Sequence, residues 1–276
     1  MNCKTAIVTL ATGILALTPL FAAQQPAREA ARAASFAKLY GTGDGPIQVH
    51  PLMPLSVALG AYALVADGFD ESGRGDAEYW MKTTRDFGIA ARAFGSAVRD
   101  AGRSMQPGPV SAAVSGLGAR LLGVDWGGSG DANFWMLRAT AIAQKVRDAG
   151  RLLRQVAQAA GPGDSAQSVV PAAAVIEGLG RVAACPDYSG NGDAYYWMRT
   201  TRDFAQLGRA AGRALLAVSG DGSDPLTVVL RGMSQQLTSL DDSGTGDANF
   251  WMARARGIAE QMEGNARSLH DIASNL

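Results

Sequence analysis

The sequence predicts an all-α protein of four helix–loop–helix modules in two pseudo-symmetric pairs, about eight core helices in all. Three observations predict it. A Gly-rich stretch recurs four times with two aspartates six residues apart and an aromatic-Trp-Met tail. A proline stands sixteen residues before the first aspartate of every copy: Pro54, Pro109, Pro171 and Pro225. Apolar residues then follow each proline and each tryptophan at helical spacing, and no short alternating segments of strand type interrupt them.

The four copies read Asp70-Glu-Ser-Gly-Arg-Gly-Asp76-Ala-Glu-Tyr-Trp80-Met, Asp125-Trp-Gly-Gly-Ser-Gly-Asp131-Ala-Asn-Phe-Trp135-Met, Asp187-Tyr-Ser-Gly-Asn-Gly-Asp193-Ala-Tyr-Tyr-Trp197-Met and Asp241-Asp-Ser-Gly-Thr-Gly-Asp247-Ala-Asn-Phe-Trp251-Met. A repeated unit of this size fixes the architecture before any single residue is considered.

Residues 1–23 have the pattern of a secretory signal peptide: Lys4, an apolar run from Ala6 to Phe21, and Ala22-Ala23 for cleavage. The run is shorter than the ~20 residues a membrane span needs, and no stable span is expected once the leader is removed. Residues 24–53 form an N-terminal helix and linker. Ala27–Tyr40 is alanine-rich and helical in pattern, Gly41 stops it, and Gly41 to Pro46 is a turn-rich connection. The first pair of modules occupies 54–160 and the second 161–276.

Within a module the proline suits the first turn of a helix, where its missing N–H is not needed. Leu55, Leu59, Tyr62 and Val65 give the first such helix an apolar face; Val110, Val114, Leu117 and Leu121 do so in module two, Val175, Leu179 and Val182 in module three, and Leu226, Val229, Met233 and Leu237 in module four. The second helix starts at the second aspartate, whose carboxylate is placed to cap the free N–H groups of the first turn. Seven residues after each tryptophan stands Phe87, Ile142, Phe204 or Ile258. Two helical turns put them on one face, so the tryptophans are expected in the core rather than on a ligand platform.

The modules alternate in type. Modules one and three share Thr83-Thr84-Arg85-Asp86-Phe87 and Thr200-Thr201-Arg202-Asp203-Phe204, while modules two and four share Asn-Phe-Trp-Met with Arg138 and Arg254 three residues after the tryptophan. Trp80 to Trp197 is 117 residues and Trp135 to Trp251 is 116, as expected if a pair of modules was itself duplicated. Arg85-Asp86 and Arg202-Asp203 read as ion pairs with loop carboxylates of the paired module.

The loop resembles the calcium loop of the EF-hand family. Asp70, Asp125, Asp187 and Asp241 match its first position, and Ser72, Ser189 and Ser243 its third, where module two has Gly127. Ser129, Asn191 and Thr245 offer an oxygen at the fifth, and Gly75, Gly130, Gly192 and Gly246 match the glycine of the sixth. Asp76, Asp131, Asp193 and Asp247 stand at the seventh, where the family uses a backbone carbonyl, and Met81, Met136, Met198 and Met252 at the twelfth, where it uses glutamate. The resemblance implies calcium as cofactor, with modules three and four the better sites. The other reading needs no metal: glycines close the turn, the first aspartate bonds to the loop backbone and the second caps the helix.

Composition narrows the function. The 276 residues carry 25 basic and 25 acidic side chains, which gives no electrostatic reason to expect nucleic acid. Beyond the leader the lone cysteine is Cys185, next to Pro186, so no disulfide within the mature chain is expected. His50 and His270 have no metal-spaced neighbours, and no phosphate-binding Gly-rich loop follows a strand. Catalysis is not expected. The sequence therefore predicts an exported, non-enzymatic protein of the bacterial periplasm or cell exterior with a binding or structural role. Its loops hold calcium or serve as turns. Its partner is a protein docked on the helices, or a small apolar ligand carried between the two halves.

Overall fold

The computed structural model describes Ala34, Phe36, Lys38, residues 53–67, 76–160, 172–173, 175–176, 193–219 and 221–275. The leader, the turn-rich connection, Cys185 and the loops of modules one and three up to the second aspartate lie outside them. Among the described residues there are seven complete helices and no strand. They are α1 (Met53–Asp67), α2 (Ala77–Ser104), α3 (Pro109–Leu122), α4 (Ala132–Ala160), α5 (Ala194–Ser219), α6 (Pro225–Thr238) and α7 (Ala248–Asn275). Ala172, Ala173, Val175 and Ile176 are also helical and fully buried, and Phe36 of the N-terminal segment is helical and buried.

Helix length follows position. The helices that open with a proline at N1, α3 and α6, have 14 residues each, whereas those that carry the tryptophans have 26 to 29. At about 1.5 Å per residue the long helices span roughly 40 Å and the short ones about half of that. Each long helix begins at its capping aspartate: Asp76 accepts from Tyr79 N at 2.9 Å, Asp131 from Phe134 N at 2.9 Å, Asp193 from Tyr196 N at 2.8 Å and Asp247 from Phe250 N at 3.0 Å.

The tryptophans lie in the core. Trp80, Trp135, Trp197 and Trp251 are 7%, 6%, 4% and 2% exposed, and Phe87, Ile142, Phe204 and Ile258 are buried below them on the same faces. The long helices pack in pairs, α2 on α4 and α5 on α7, with the short helices leaning on the long helix before them, α3 on α2 and α6 on α5. The helix α1 packs against α2 and against α7, so the beginning of the repeated region meets its end. There the buried Ser56 hydroxyl donates to Ala266 O at 2.7 Å, 210 residues away in sequence.

Small residues set how closely the helices approach. A Cβ on Gly118 would stand 2.4 Å from Arg99 N and 2.5 Å from Gly95 O, so α2 and α3 touch backbone to backbone. The corresponding crossing of α5 and α6 has Ser234 there, and its hydroxyl donates to Gly212 O at 2.7 Å.

Candidate functional site: the aspartate–glycine loops

Modules two and four show the loop complete. In module two, one oxygen of Asp125 accepts Gly127 N at 2.8 Å and the other meets the Arg138 guanidinium. In module four, Asp241 accepts Ser243 N at 2.9 Å, its second oxygen meets Arg254, and Arg254 Nε donates to Asp241 O at 3.2 Å. Both arginines also lie over the ring that precedes the tryptophan, Arg138 at 5.8 Å from Phe134 and Arg254 at 5.5 Å from Phe250. Each ring in turn meets its tryptophan edge-on at 5.1 Å. First aspartate, arginine, aromatic ring and core tryptophan thus form one connected chain of contacts.

The two retained glycines do different work. Positive φ occurs at Gly128 (137°) and Gly244 (116°), the fourth loop position, so the turn is closed there. The sixth-position glycines, Gly130 and Gly246, are needed for space, since a Cβ on either would lie 2.4 Å from Cγ of Phe134 or Phe250. The sharp turn expected at the sixth position is therefore made two residues earlier.

Electrostatics follow from these bonds. The Gly127 N–H and then the Arg138 charge hold the Asp125 carboxyl below its ordinary range. Hydrogen bonds from the Ser243 hydroxyl and backbone, followed by Arg254, bring Asp241 down to about 2. Asp125, Asp131, Asp241, Ser243, Thr245 and Asp247 are all exposed, as are Asp76 and Asp193 at the starts of α2 and α5. Among the described residues no three of His, Cys, Asp and Glu converge on a common point. Calcium takes six to eight oxygens. The first-position carboxylates of modules two and four are instead shared between a backbone N–H and a guanidinium, and the seventh-position ones are used as caps, so this donor arrangement does not fit calcium. Asp70, Ser72, Asp187, Ser189 and Asn191 lie outside the described residues.

Modules are tied together by groups the repeat pattern contained but the sequence reading passed over. Thr84 Oγ1 lies 2.7 Å from Trp80 O and 3.0 Å from Trp135 O, and Thr201 Oγ1 lies 2.7 Å from Trp197 O and 3.1 Å from Trp251 O; both hydroxyls are fully buried. The expected partners of Arg85 and Arg202 are different: Arg85 bonds to its neighbour Asp86 (3.2 Å), and Arg202 lies over the Trp251 ring at 5.8 Å. The arginines that reach the paired loop stand seven residues further on. Arg92 lies over Trp126 at 5.4 Å, and Arg209 makes a two-point bridge to Asp242 (3.0 and 2.8 Å) and donates to Leu240 O at 2.7 Å. The signal that would have found them is their 117-residue separation, the spacing of Trp80 and Trp197.

Compared with protein-family models, with curated proteins and with solved structures, the chain matches none of them. Among the described residues no helix is long and apolar enough to cross a membrane.

Proposed function

We propose that the chain is an exported, non-enzymatic helical repeat protein with a binding or structural role, built of four helix–loop–helix modules in two pseudo-symmetric pairs. The Asp/Gly loops of modules two and four work as self-neutralised clamps that fix the entry of the long helices α4 and α7. The observation that carries this is the arginine on the first aspartate. Arg138 and Arg254 supply, from inside the module, the positive charge that a cation would bring, and each also covers the ring seated on the loop glycine. The contact of α1 with α7 supports the paired arrangement, because a duplicated pair that closes on itself brings its first helix to its last. By the same register, the helix holding Ala172, Ala173, Val175 and Ile176 takes in the second pair the place that α1 takes in the first.

Thermal unfolding of the mature protein in EDTA and in millimolar calcium tests the clamp. A ligand that binds only the folded state raises the midpoint by mass action. Coincident curves are expected. A rise with calcium that Asp187→Ala or Asp241→Ala diminishes would make the loops metal sites and overturn the reading. Export rests on residues 1–23 alone, and a mature N-terminus at Gln24, read by mass spectrometry of the secreted protein, is its expected result.

A further inference from the structure

The second pair carries an exposed basic row along α5. Tyr195, Arg199, Arg202, Gln206 and Arg213 stand at i, i+4, i+7, i+11 and i+18, so they share one face of the helix. All five are exposed. At about 1.5 Å per residue the row is roughly 27 Å long. Leu216, 50% exposed, extends it by one turn. The chain as a whole is neutral, yet α5 holds four arginines and one acid, Asp203, which is half-buried beside Arg199.

The matching face of α2 is built differently. At the 117-residue register Glu78, Lys82, Arg85, Ile89 and Ser96 stand in the places of the row. There Lys82 is bridged to Glu78 at 3.3 Å, Arg85 to Asp86 at 3.2 Å, and Ser96 is fully buried. In the second pair the acid has become Tyr195, 66% exposed, and the buried serine has become the exposed Arg213. Arg202 is steadied by the face of the Trp251 ring, a contact that leaves its charge uncompensated, and Arg213 meets no carboxylate among the described residues.

The outer face of a helix is convex and offers no cleft to a small ligand. A straight row of cations suits an extended anionic surface. The ends of the row add a second requirement, because Tyr195 and Leu216 present apolar bodies that a hydrated polyanion would leave in water and a bilayer interface would bury. We propose that this face of α5 docks the protein peripherally on an anionic lipid surface. Arg199, Arg202 and Arg213 meet the headgroup phosphates, and Tyr195 and Leu216 dip into the interface.

Flotation of the mature protein with vesicles of equimolar phosphatidylglycerol and phosphatidylcholine tests this. Binding is expected to the mixed vesicles and not to phosphatidylcholine alone, and it should vanish at 1 M salt, where charges interact over about 3 Å. Arg213→Gln should weaken it about fivefold, the effect of one basic residue near an anionic leaflet, and adding Arg202→Gln should bring the loss to about 25-fold. Arg151→Gln removes the same charge from the exposed side of α4 and should leave binding unchanged. Tyr195→Ser with Leu216→Ser changes no charge and should weaken binding at least about tenfold. The replaced side chains are exposed, so each variant should keep the helical circular dichroism of the parent. No flotation with the mixed vesicles, equal losses for Arg151→Gln and Arg213→Gln, or unchanged binding of the Tyr195→Ser, Leu216→Ser variant would each overturn the proposal.

Discussion

Arg92 in the first pair and Arg209 in the second hold corresponding places on α2 and α5, yet they grip different partners. Arg92 lies on the face of Trp126; Arg209 makes a two-point bridge to Asp242, the residue at the same loop position. The helix surface beneath has changed in step. Gly88 stands under Trp126, where a Cβ would lie 2.3 Å from Cε3 of the indole, whereas the residue at its 117-residue register in the second pair is Ala205. One task, tying the loop of one module to the long helix of its neighbour, is done by a cation over a ring in one pair and by an ion pair in the other. At these two places the chemistry of the contact differs, and space is exchanged along with charge.

The largest expected effect breaks the closer of the two crossings. Gly118→Ala puts a methyl group against Arg99 N and Gly95 O, and neither backbone can swing away. We expect a loss of about 3 kcal/mol, which for a chain of this size is roughly 6–12 °C in Tm. The second pair already carries a side chain at this place, Ser234, and Ser234→Ala should cost only the hydrogen bond to Gly212 O, about 1 kcal/mol. Equal losses in the two denaturation curves would show that the crossings are packed alike.

The next effect sharpens the comparison at the arginines. Gly88→Ala displaces the Trp126 ring and should cost about 2 kcal/mol. Adding Trp126→Asp should return most of it, because the double variant carries the alanine and the aspartate that stand at these two positions in the second pair. Urea unfolding of the two single variants and the double then gives a coupling of at least about 1 kcal/mol. Additive losses would mean that the glycine and the tryptophan are unrelated.

Much of this architecture was legible in the sequence, and the reason is physical. Caps, core tryptophans and Pro-initiated helices are set by local rules of spacing and hydrogen bonding, so Asp131 and Trp135 announce their roles without knowledge of any neighbour. What faces what across modules is not local. Arg85-Asp86 looked like the inter-module tie because both residues recur, but Arg85 turns to its own neighbour while Thr84, a bland hydroxyl, sits between the Trp80 and Trp135 carbonyls. The loops of modules two and four show the same limit in another way. Their glycines match a calcium loop in position, but the positive φ lies at Gly128 and Gly244, and Gly130 and Gly246 make room for a ring. Composition at a position records that a glycine is needed, not which of its properties is used.

The smallest effect probes the second grip by its response to salt and acid. Arg209→Met removes a partly exposed ion pair worth about 1 kcal/mol, and Arg92→Met removes a cation–ring contact of similar size. Screening at 1 M salt, where charges interact over about 3 Å, should shrink the Arg209 loss. Acid should do the same. The hydrogen bonds and charge of Arg209 hold Asp242 below the ordinary value of 3.8. A carboxyl lowered in the folded state stabilises the fold above the unfolded value and loses that contribution as pH falls toward the folded one. The cost of Arg209→Met should therefore fade below pH 3.8. If the cost of Arg209→Met instead persisted unchanged below that pH, the second grip would owe nothing to its charge, and Arg209 would act through packing.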